Sequence, residues 1–481
     1  MVHFSHMDTK MSAFLELFTK QSAIKSNERF PADFLSVDPD DLKNYGKDWT
    51  KVFAPAPSAI AFPRTTDEVS RFLKLCLEHS VAVVPSGGRT GLAGGAVAAH
   101  GEIVLSLARM NKMGEVDVLA QTVRVQAGSV TEAVHKHCEI LDLTWPIDFA
   151  SKGSSHVGGN ISTNAGGVKV IHYGMTRNWV LGLQVVLMDG SILELNGALE
   201  KNNTGLDLRQ MFIGTEGTLG VITEATLKLA RVPRALDVFF FALNDMATVF
   251  QLFMEARRAP FTLMAFETLT HNCLEVVCEH LKLKKPFAEP SGAYALIEFE
   301  RPVSESARAE LDAWLASLFE KGLVVDGVLA QSPREARELW SLREMIAEAL
   351  FTSGFVHKND ISLPIAELKN FIDEMYKMYA TKHSSMEVYL FGHIGDGNLH
   401  VNTMKPDDMS RDEFLKRAKE SDRDLFSLVQ KYQGSISAEH GIRLLKKDAL
   451  TYSRTAGEIS LFKQMKAVFD PKGLLNPGKI I

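Results

Sequence analysis

Apolar residues at Val69, Phe72, Leu73, Cys76 and Leu77 follow the spacing i, i+3, i+4, i+7 and i+8, which predicts one buried face of a helix. Thr65-x-x-Glu68 just before them has the form of a capping box. Val81-Ala82-Val83-Val84 is short and β-branched and predicts a buried strand. Pro85 to Gly95 breaks both periods and must be a loop. Ile103 to Leu107 and Thr122 to Gln126 return to strand, and Ser129-x-x-Glu132 opens the next helix. Val180 to Met188 predicts a strand closed by an Asp189-Gly190 turn, and Pro333 to Leu350 a helix with Leu339, Trp340 and Leu342 on its packed face. Tyr389 to Asn402 reads as strand, turn, strand about Gly395-Asp396-Gly397-Asn398, which sets His393 and His400 opposite each other on neighbouring strands.

Glycine sharpens this picture. Twenty-one of the 34 glycines lie between Gly87 and Gly220, whereas Val221 to Ser353 holds three. Glycine serves where the backbone takes φ > 0 or approaches something closely. The first region is therefore built around an extended ligand, and the second is ordinary packed helix and strand. The shift near Val232-Pro233-Arg234 marks a boundary. Glycines return at Gly434, Gly441, Gly473 and Gly478, so the end of the chain is expected to rejoin the first domain.

The loop Pro85-Ser86-Gly87-Gly88-Arg89-Thr90-Gly91-Leu92-Ala93-Gly94-Gly95 is either a long flexible turn or a cradle of free N–H groups for a phosphate. No G-x-G-x-x-G is present, because Gly395-x-Gly397 is followed at the sixth position by His400, and no P-loop pattern occurs. Gly153 to Gly167 and Phe212 to Thr223 are further segments dense in glycine and small polar residues. Together the segments suit a cofactor with a flat ring, a ribose and a pyrophosphate.

A second constellation lies downstream. His393, His400 and the Glu439-His440-Gly441 segment offer two imidazoles and a carboxylate, the three-ligand set of a catalytic metal site with an open position. With 15 histidines in the chain, close pairs settled by ordinary hydrogen bonds are the competing explanation.

Length, 481 residues, suggests two to four domains. A net charge of −6 argues against a nucleic-acid partner, which requires a basic face. Four cysteines without a C-x-x-C pair make a disulfide framework or thiolate zinc site unexpected and fit a reducing compartment. No signal or transit peptide is visible, and no apolar run is long enough to span a bilayer, so a cytoplasmic protein without a membrane span is expected.

PSGGRTGLAGG, GGNISTNAGG, VLGLQVVLMDGSIL and FIGTEGTLGVIT resemble the FAD-binding domain of the vanillyl-alcohol oxidase superfamily, and more closely its D-2-hydroxyacid dehydrogenases of the D-2-hydroxyglutarate, D-lactate and glycolate group. The resemblance runs from about Tyr45 to the C-terminus. It implies an α+β fold: a two-subdomain FAD-binding domain of the PCMH type, with a ferredoxin-like α+β substrate (cap) domain. The domains would be a helical segment (1–44), the FAD domain (45–232), a cap carrying metal ligands (233–435) and a C-terminal segment returning to the FAD domain (436–481). Pro85, Ser86, Gly87, Gly88, Arg89, Thr90, Gly91 and Gly95 would hold the pyrophosphate. Pro146, Ser154, Gly158, Asn160, Thr163, Gly166, Glu216, Gly217, Ile222 and Asn476 would line the rest. Some relatives attach flavin through a histidine directly after the Gly-Gly of the loop; Arg89 stands there, so the FAD is expected to be non-covalent.

By the same resemblance His393, His400 and Glu439 ligate a divalent metal (zinc, with manganese or cobalt as options), His440 is the catalytic base and Asn402 lies close by. There a divalent ion would lower the pKa of the substrate hydroxyl, the histidine would take its proton, and the flavin would supply the acceptor for the α-hydrogen as hydride at N5. Arg343 and Lys358 would grip the substrate carboxylates. Two positions depart from the pattern. Ala347 replaces a threonine four residues after the arginine, which should weaken a second carboxylate contact by roughly 1 kcal/mol. Arg443 stands where many members have glycine. D-2-hydroxyglutarate is the first-choice substrate, with D-lactate, glycolate or another D-2-hydroxy acid as the alternative. With no nicotinamide site visible, the acceptor would be an electron-transfer flavoprotein or a quinone; the oligomeric state, a homodimer among the options, is open. Two other classes compete: a metallohydrolase, which would be colourless, and a non-catalytic flavin-binding subunit, which no D-2-hydroxy acid would bleach.

Overall fold

A computed structural model describes residues 9–20, 29–50 and 52–480. The first predicted helix spans Thr66–His79 and buries Val69, Phe72, Leu73 and Cys76. Thr65 Oγ1 accepts the Glu68 N–H, but the Glu68 carboxylate reaches one residue beyond the cap and accepts the Arg64 N–H at 2.6 Å. The following strand is Val83–Ser86, so it carries into Pro85 and Ser86 at the head of the glycine loop. It pairs in parallel with Ile103–Ser106 at one edge of a four-stranded sheet. Near the C-terminus, Leu475 bridges to Val83 in parallel, and the Asn476 N–H donates to the Val83 carbonyl at 2.7 Å. The end of the chain thus extends the sheet that launches the loop.

A second, antiparallel sheet runs in the order Met113–Asp117, Thr122–Gln126, Val221–Lys228, Val180–Val186, Ile192–Leu195. Both sheets feed one apolar core that includes Phe72, Val125, Trp145, Phe212 and Leu475. Here the expected Ser129 cap fails. The helix is Thr131–Glu139 with no side-chain cap, and Ser129 Oγ is buried without a partner.

Residues beyond 235 build a seven-stranded sheet in the order Asp326–Leu329, Leu236–Leu243, Ala293–Glu300, Thr262–Leu269, Val388–His393, Asn398–Met404, Val356–Ser362. Every neighbouring pair is antiparallel. Helices Met246–Arg258, Glu305–Glu320, Leu368–Lys382 and Arg411–Lys431 cover one face; His271–Leu281, Pro333–Glu344 and Ile346–Ser353 cover part of the other. The helix predicted over Pro333 to Leu350 is therefore two, broken at Met345, where φ is −87° and ψ 0°.

The sheet is keyed to the preceding part of the chain by charge and shape. Lys169 Nζ lies 3.0 Å from Glu298 Oε1, whose other oxygen accepts the Trp340 indole N–H at 2.9 Å. Arg231 pairs with Glu300 through both nitrogens at 2.5 and 2.8 Å. Ile171 packs against Gly395, where a Cβ would overlap its side chain.

Candidate active site

Pleated period-2 geometry assembles the cap half of the site. Register pairs Glu267 with His393, Phe391 with His400, Asp360 with His400 and Lys358 with Asn402. All therefore stand on one face of four adjacent strands. His393 is not opposite His400, as the hairpin pattern predicts. The connection spans four residues, Ile394 to Gly397, so Asn398 faces His393 and Phe391 faces His400. The two imidazoles are diagonal neighbours with ring centroids 5.5 Å apart.

Two buried carboxylates organise this face. Glu267 accepts the His393 Nδ1 proton at 2.7 Å, and its second oxygen lies 2.8 Å from Arg343 Nε. Arg343, buried on Pro333–Glu344, stacks its guanidinium over Phe391, 4.8 Å from the centroid, and brings Nη2 to 3.4 Å from His393 Nε2. Asp360 Oδ2 accepts the backbone N–H groups of Ala438, Glu439 and His440 at 3.1, 2.9 and 2.9 Å; Oδ1 accepts Asn398 Nδ2 at 2.9 Å. The Ala438-Glu439-His440 turn is thereby wrapped around one carboxylate. The Nδ1 atoms of His400 and His440 both lie 3.7 Å from Asp360, while their Nε2 atoms lie 3.9 and 3.8 Å from Glu439 Oε1.

Electrostatics follow from burial and these partners. Burial disfavours charge on His393, but the Glu267 carboxylate outweighs it and raises the group to about 9. Burial holds His400 well below the usual imidazole range despite Asp360. Burial would raise Asp360, yet the neighbouring His440, His400 and Lys446 charges and the donated N–H groups hold it below the ordinary carboxylate range. Burial pushes Asp396, in the turn, up to about 7.

Ligand atoms of Asp360, His400, Glu439 and His440 all lie within 4.8 Å of one another, a donor set that suits a divalent cation. This tightest group contains Asp360 and His440 and leaves out His393, whose Nδ1 is taken by Glu267. Asp360 was not legible from spacing, and neither was Glu267. The oxygens of Asp360 are already occupied by three backbone donors and an amide, which suits a residue that aims ligands better than a ligand itself.

On the other side lies the glycine loop. A Cβ on Gly88 would collide with the Ser154 carbonyl, and one on Gly91 or Gly95 with the Arg443 side chain, whereas one on Gly159 would meet nothing within 4 Å. Ser86 Oγ, His156 Nδ1 and Asn476 Oδ1 are buried there without hydrogen-bond partners. Burial and the Arg89 charge push His156 down to about 4. Arg89 has φ +59° and lays its guanidinium over Tyr45 at 4.3 Å. Inward-facing unpaired polar atoms and close backbone approach fit a dinucleotide.

Several expected lining residues are brought to this cradle. Asn476 Nδ2 donates to the Glu216 carbonyl at 2.7 Å and the Gly95 carbonyl at 3.3 Å, and Gly217 abuts Pro85. Gly158 sits on Ala127 in the helix Val157–Thr163, where Asn160 donates to Thr131 Oγ1 and Thr163 Oγ1 to the Gly159 carbonyl. Ser154 is exposed beside Gly88, Gly166 packs on Met175, and Ile222 is in the apolar core. Pro146 lines a cavity of about 180 Å³ with His135, Trp145, Lys169 and Tyr173. Lys358 Nζ lies 3.4 Å from the Ala347 carbonyl and 5.6 Å from the Phe351 ring.

Known proteins agree with both halves. Residues 57–196 match the FAD binding domain model, and residues 232–480 the FAD linked oxidases C-terminal domain model. The chain is 46% identical over 444 residues, 92% of its length and 95% of the relative's, to a D-2-hydroxyglutarate dehydrogenase of Stutzerimonas stutzeri. It is 45% identical to one of Xanthomonas citri, covering 96% and 97% of the two chains, and 39% identical to the mitochondrial enzyme of Danio rerio, covering 92% and 82%. In fold it resembles 4-ethylphenol oxidase from Gulosibacter chungangensis (TM-score 0.74, 15% identity, 100% and 98% covered) and an alkyldihydroxyacetonephosphate synthase (TM-score 0.72, 19% identity, 100% and 87% covered). An α+β architecture with a PCMH-type flavin fold is thus the fold of this chain. With one family model spanning 232–480 and relatives of this identity along most of its length, the chain belongs to the FAD-linked D-2-hydroxyglutarate dehydrogenase family.

Proposed function

We propose that the protein oxidises D-2-hydroxyglutarate to 2-oxoglutarate, using non-covalent FAD and a divalent metal. The observation that carries this reading is one buried face holding Arg343, His393, His400 and Asp360 beside the Glu439-His440 turn, in a chain 46% identical to a D-2-hydroxyglutarate dehydrogenase. FAD, when bound along the Ser86 to Gly95 loop, supplies the hydride acceptor. A divalent ion, when bound by His393, His400 and Glu439, supplies the charge that makes the substrate hydroxyl acidic. His440 Nε2 takes the hydroxyl proton; Asp360, behind its Nδ1, keeps the ring aimed. Glu267 holds His393 by Nδ1 and so turns Nε2 outward. Arg343 and Lys358 bind the substrate carboxylates, and Asn402, opposite Lys358, adds a polar contact. With FAD held there, an electron-transfer flavoprotein or a quinone would be the class of acceptor for the substrate's two electrons. The four buried free thiols fit a reducing compartment, and we place the protein in the cytoplasm; among the described residues no helix is long and apolar enough to cross a membrane.

Anaerobic mixing tests this. D-2-Hydroxyglutarate is expected to bleach the flavin and its L-enantiomer not to. Arg343→Ala should raise KM for D-2-hydroxyglutarate about 10- to 100-fold, the loss of a charge-assisted contact, with a smaller change in kcat and little change toward D-lactate. Equal bleaching by both enantiomers, or an unchanged KM, contradicts the assignment.

A further inference from the structure

Arg443 stands three residues after His440, yet its side chain turns away from the imidazole cluster and enters the glycine loop. Its side chain is 7% exposed, as is that of Glu216. Gly91 and Gly95 leave the room it occupies; a Cβ on Gly91 would strike Nη1, and one on Gly95 would come within 2.7 Å of Cδ. Its backbone has φ +45°, a conformation L-residues rarely adopt. Nε lies 3.2 Å from Glu216 Oε2 but is out of line for a hydrogen bond, so it has no hydrogen-bond partner. A buried guanidinium carries five donors. Here the described residues provide one ion-pair contact and no hydrogen bond to it. The neighbouring segment is tied to the same loop: Leu444 packs on Gly94, and the Leu445 N–H donates to the Ala93 carbonyl at 3.4 Å.

Strained backbone and unspent donors point to a partner not supplied by the chain. The partner must be anionic, and the glycine loop that Arg443 fills lies within the FAD-binding segment 57–196. We propose that Arg443 is an FAD-binding residue of this chain, donating from its terminal nitrogens to the cofactor's pyrophosphate while Nε offsets the Glu216 carboxylate. The backbone N–H groups of the glycine loop remain as donors without it, so the arginine adds a contact to those the loop itself offers. The expected effect is a weakening of FAD binding and not its loss.

Titration of apoprotein with FAD, followed by quenching of flavin fluorescence, tests this without any turnover. Arg443→Gly suits the positive φ and is expected to fold, but to bind FAD at least 10-fold more weakly, with a steeper loss at low salt than at high salt relative to the parent. Arg443→Gly/Glu216→Gln leaves no unpaired buried charge and separates phosphate binding from mere neutralisation of Glu216. It must also bind FAD at least 10-fold more weakly than Glu216→Gln alone. A Kd within twofold of the matching parent in either comparison overturns the proposal. Apoprotein melting temperatures identify any variant that has lost its fold, and the double variant keeps the question answerable if the single one has.

Discussion

His440→Ala is expected to give yellow, metal-containing protein whose flavin is reduced by D-2-hydroxyglutarate about 10³-fold more slowly, the range a positioned general base contributes. His440 touches the site through its ring alone. Nδ1 is 3.7 Å from Asp360 and Nε2 3.8 Å from Glu439, and the side chain keeps 26% exposure from which a substrate can approach. Its backbone N–H, which helps anchor the turn on Asp360, survives the substitution. KM should therefore move little while kcat collapses, and rapid-mixing absorbance resolves the two. Reduction at more than a tenth of the parent rate would remove His440 from the role of base.

Asp360→Ala should be costlier to the protein as a whole. Three consecutive N–H groups and the Asn398 amide lose their acceptor at once, and buried unpaired donors cost about 1–3 kcal/mol each. Two histidines lose the carboxylate behind them, and Lys446 a nearby countercharge. Stability should fall by about 3–5 kcal/mol, with metal content well below one per chain. Asp360→Asn keeps the shape but presents an N–H₂ or a single oxygen to three donors, so it should lie between. Calorimetry with metal analysis checks both; a stable, metal-replete Asp360→Ala variant would mean that the Ala438 to His440 turn holds itself.

The contrast between His440 and Asp360 shows what a sequence discloses. His393, His400, Glu439 and the glycine loop lie in short segments whose spacing carries chemistry, and the structure brings these segments together. Asp360 and Glu267 lie on strands 93 residues apart, and only the register of four antiparallel strands sets them on the imidazole face. Nothing local marks either one, although Asp360 follows Lys358, a candidate substrate-binding residue, at the period-2 spacing of a strand. Ser129 misled for the opposite reason. It has the right residue type one position before the cap, which is Val130, and its hydroxyl turns inward while the helix begins at Thr131. The break at Met345 was equally hidden, because the apolar positions keep helical spacing through a residue at ψ 0°. Arg443 was legible as an oddity in a histidine motif; that it serves the flavin side needed its contact with Gly91, Gly95 and Glu216.

The claim on which the chemistry rests is that a divalent ion at His393, His400 and Glu439 is needed to acidify the substrate hydroxyl. Chelator-treated, desalted enzyme that retains its FAD should be mixed anaerobically with saturating D-2-hydroxyglutarate while flavin absorbance is followed. Bleaching at least 100-fold slower than in untreated enzyme, restored by added zinc, manganese or cobalt, is the predicted result; bleaching at the untreated rate would contradict the account.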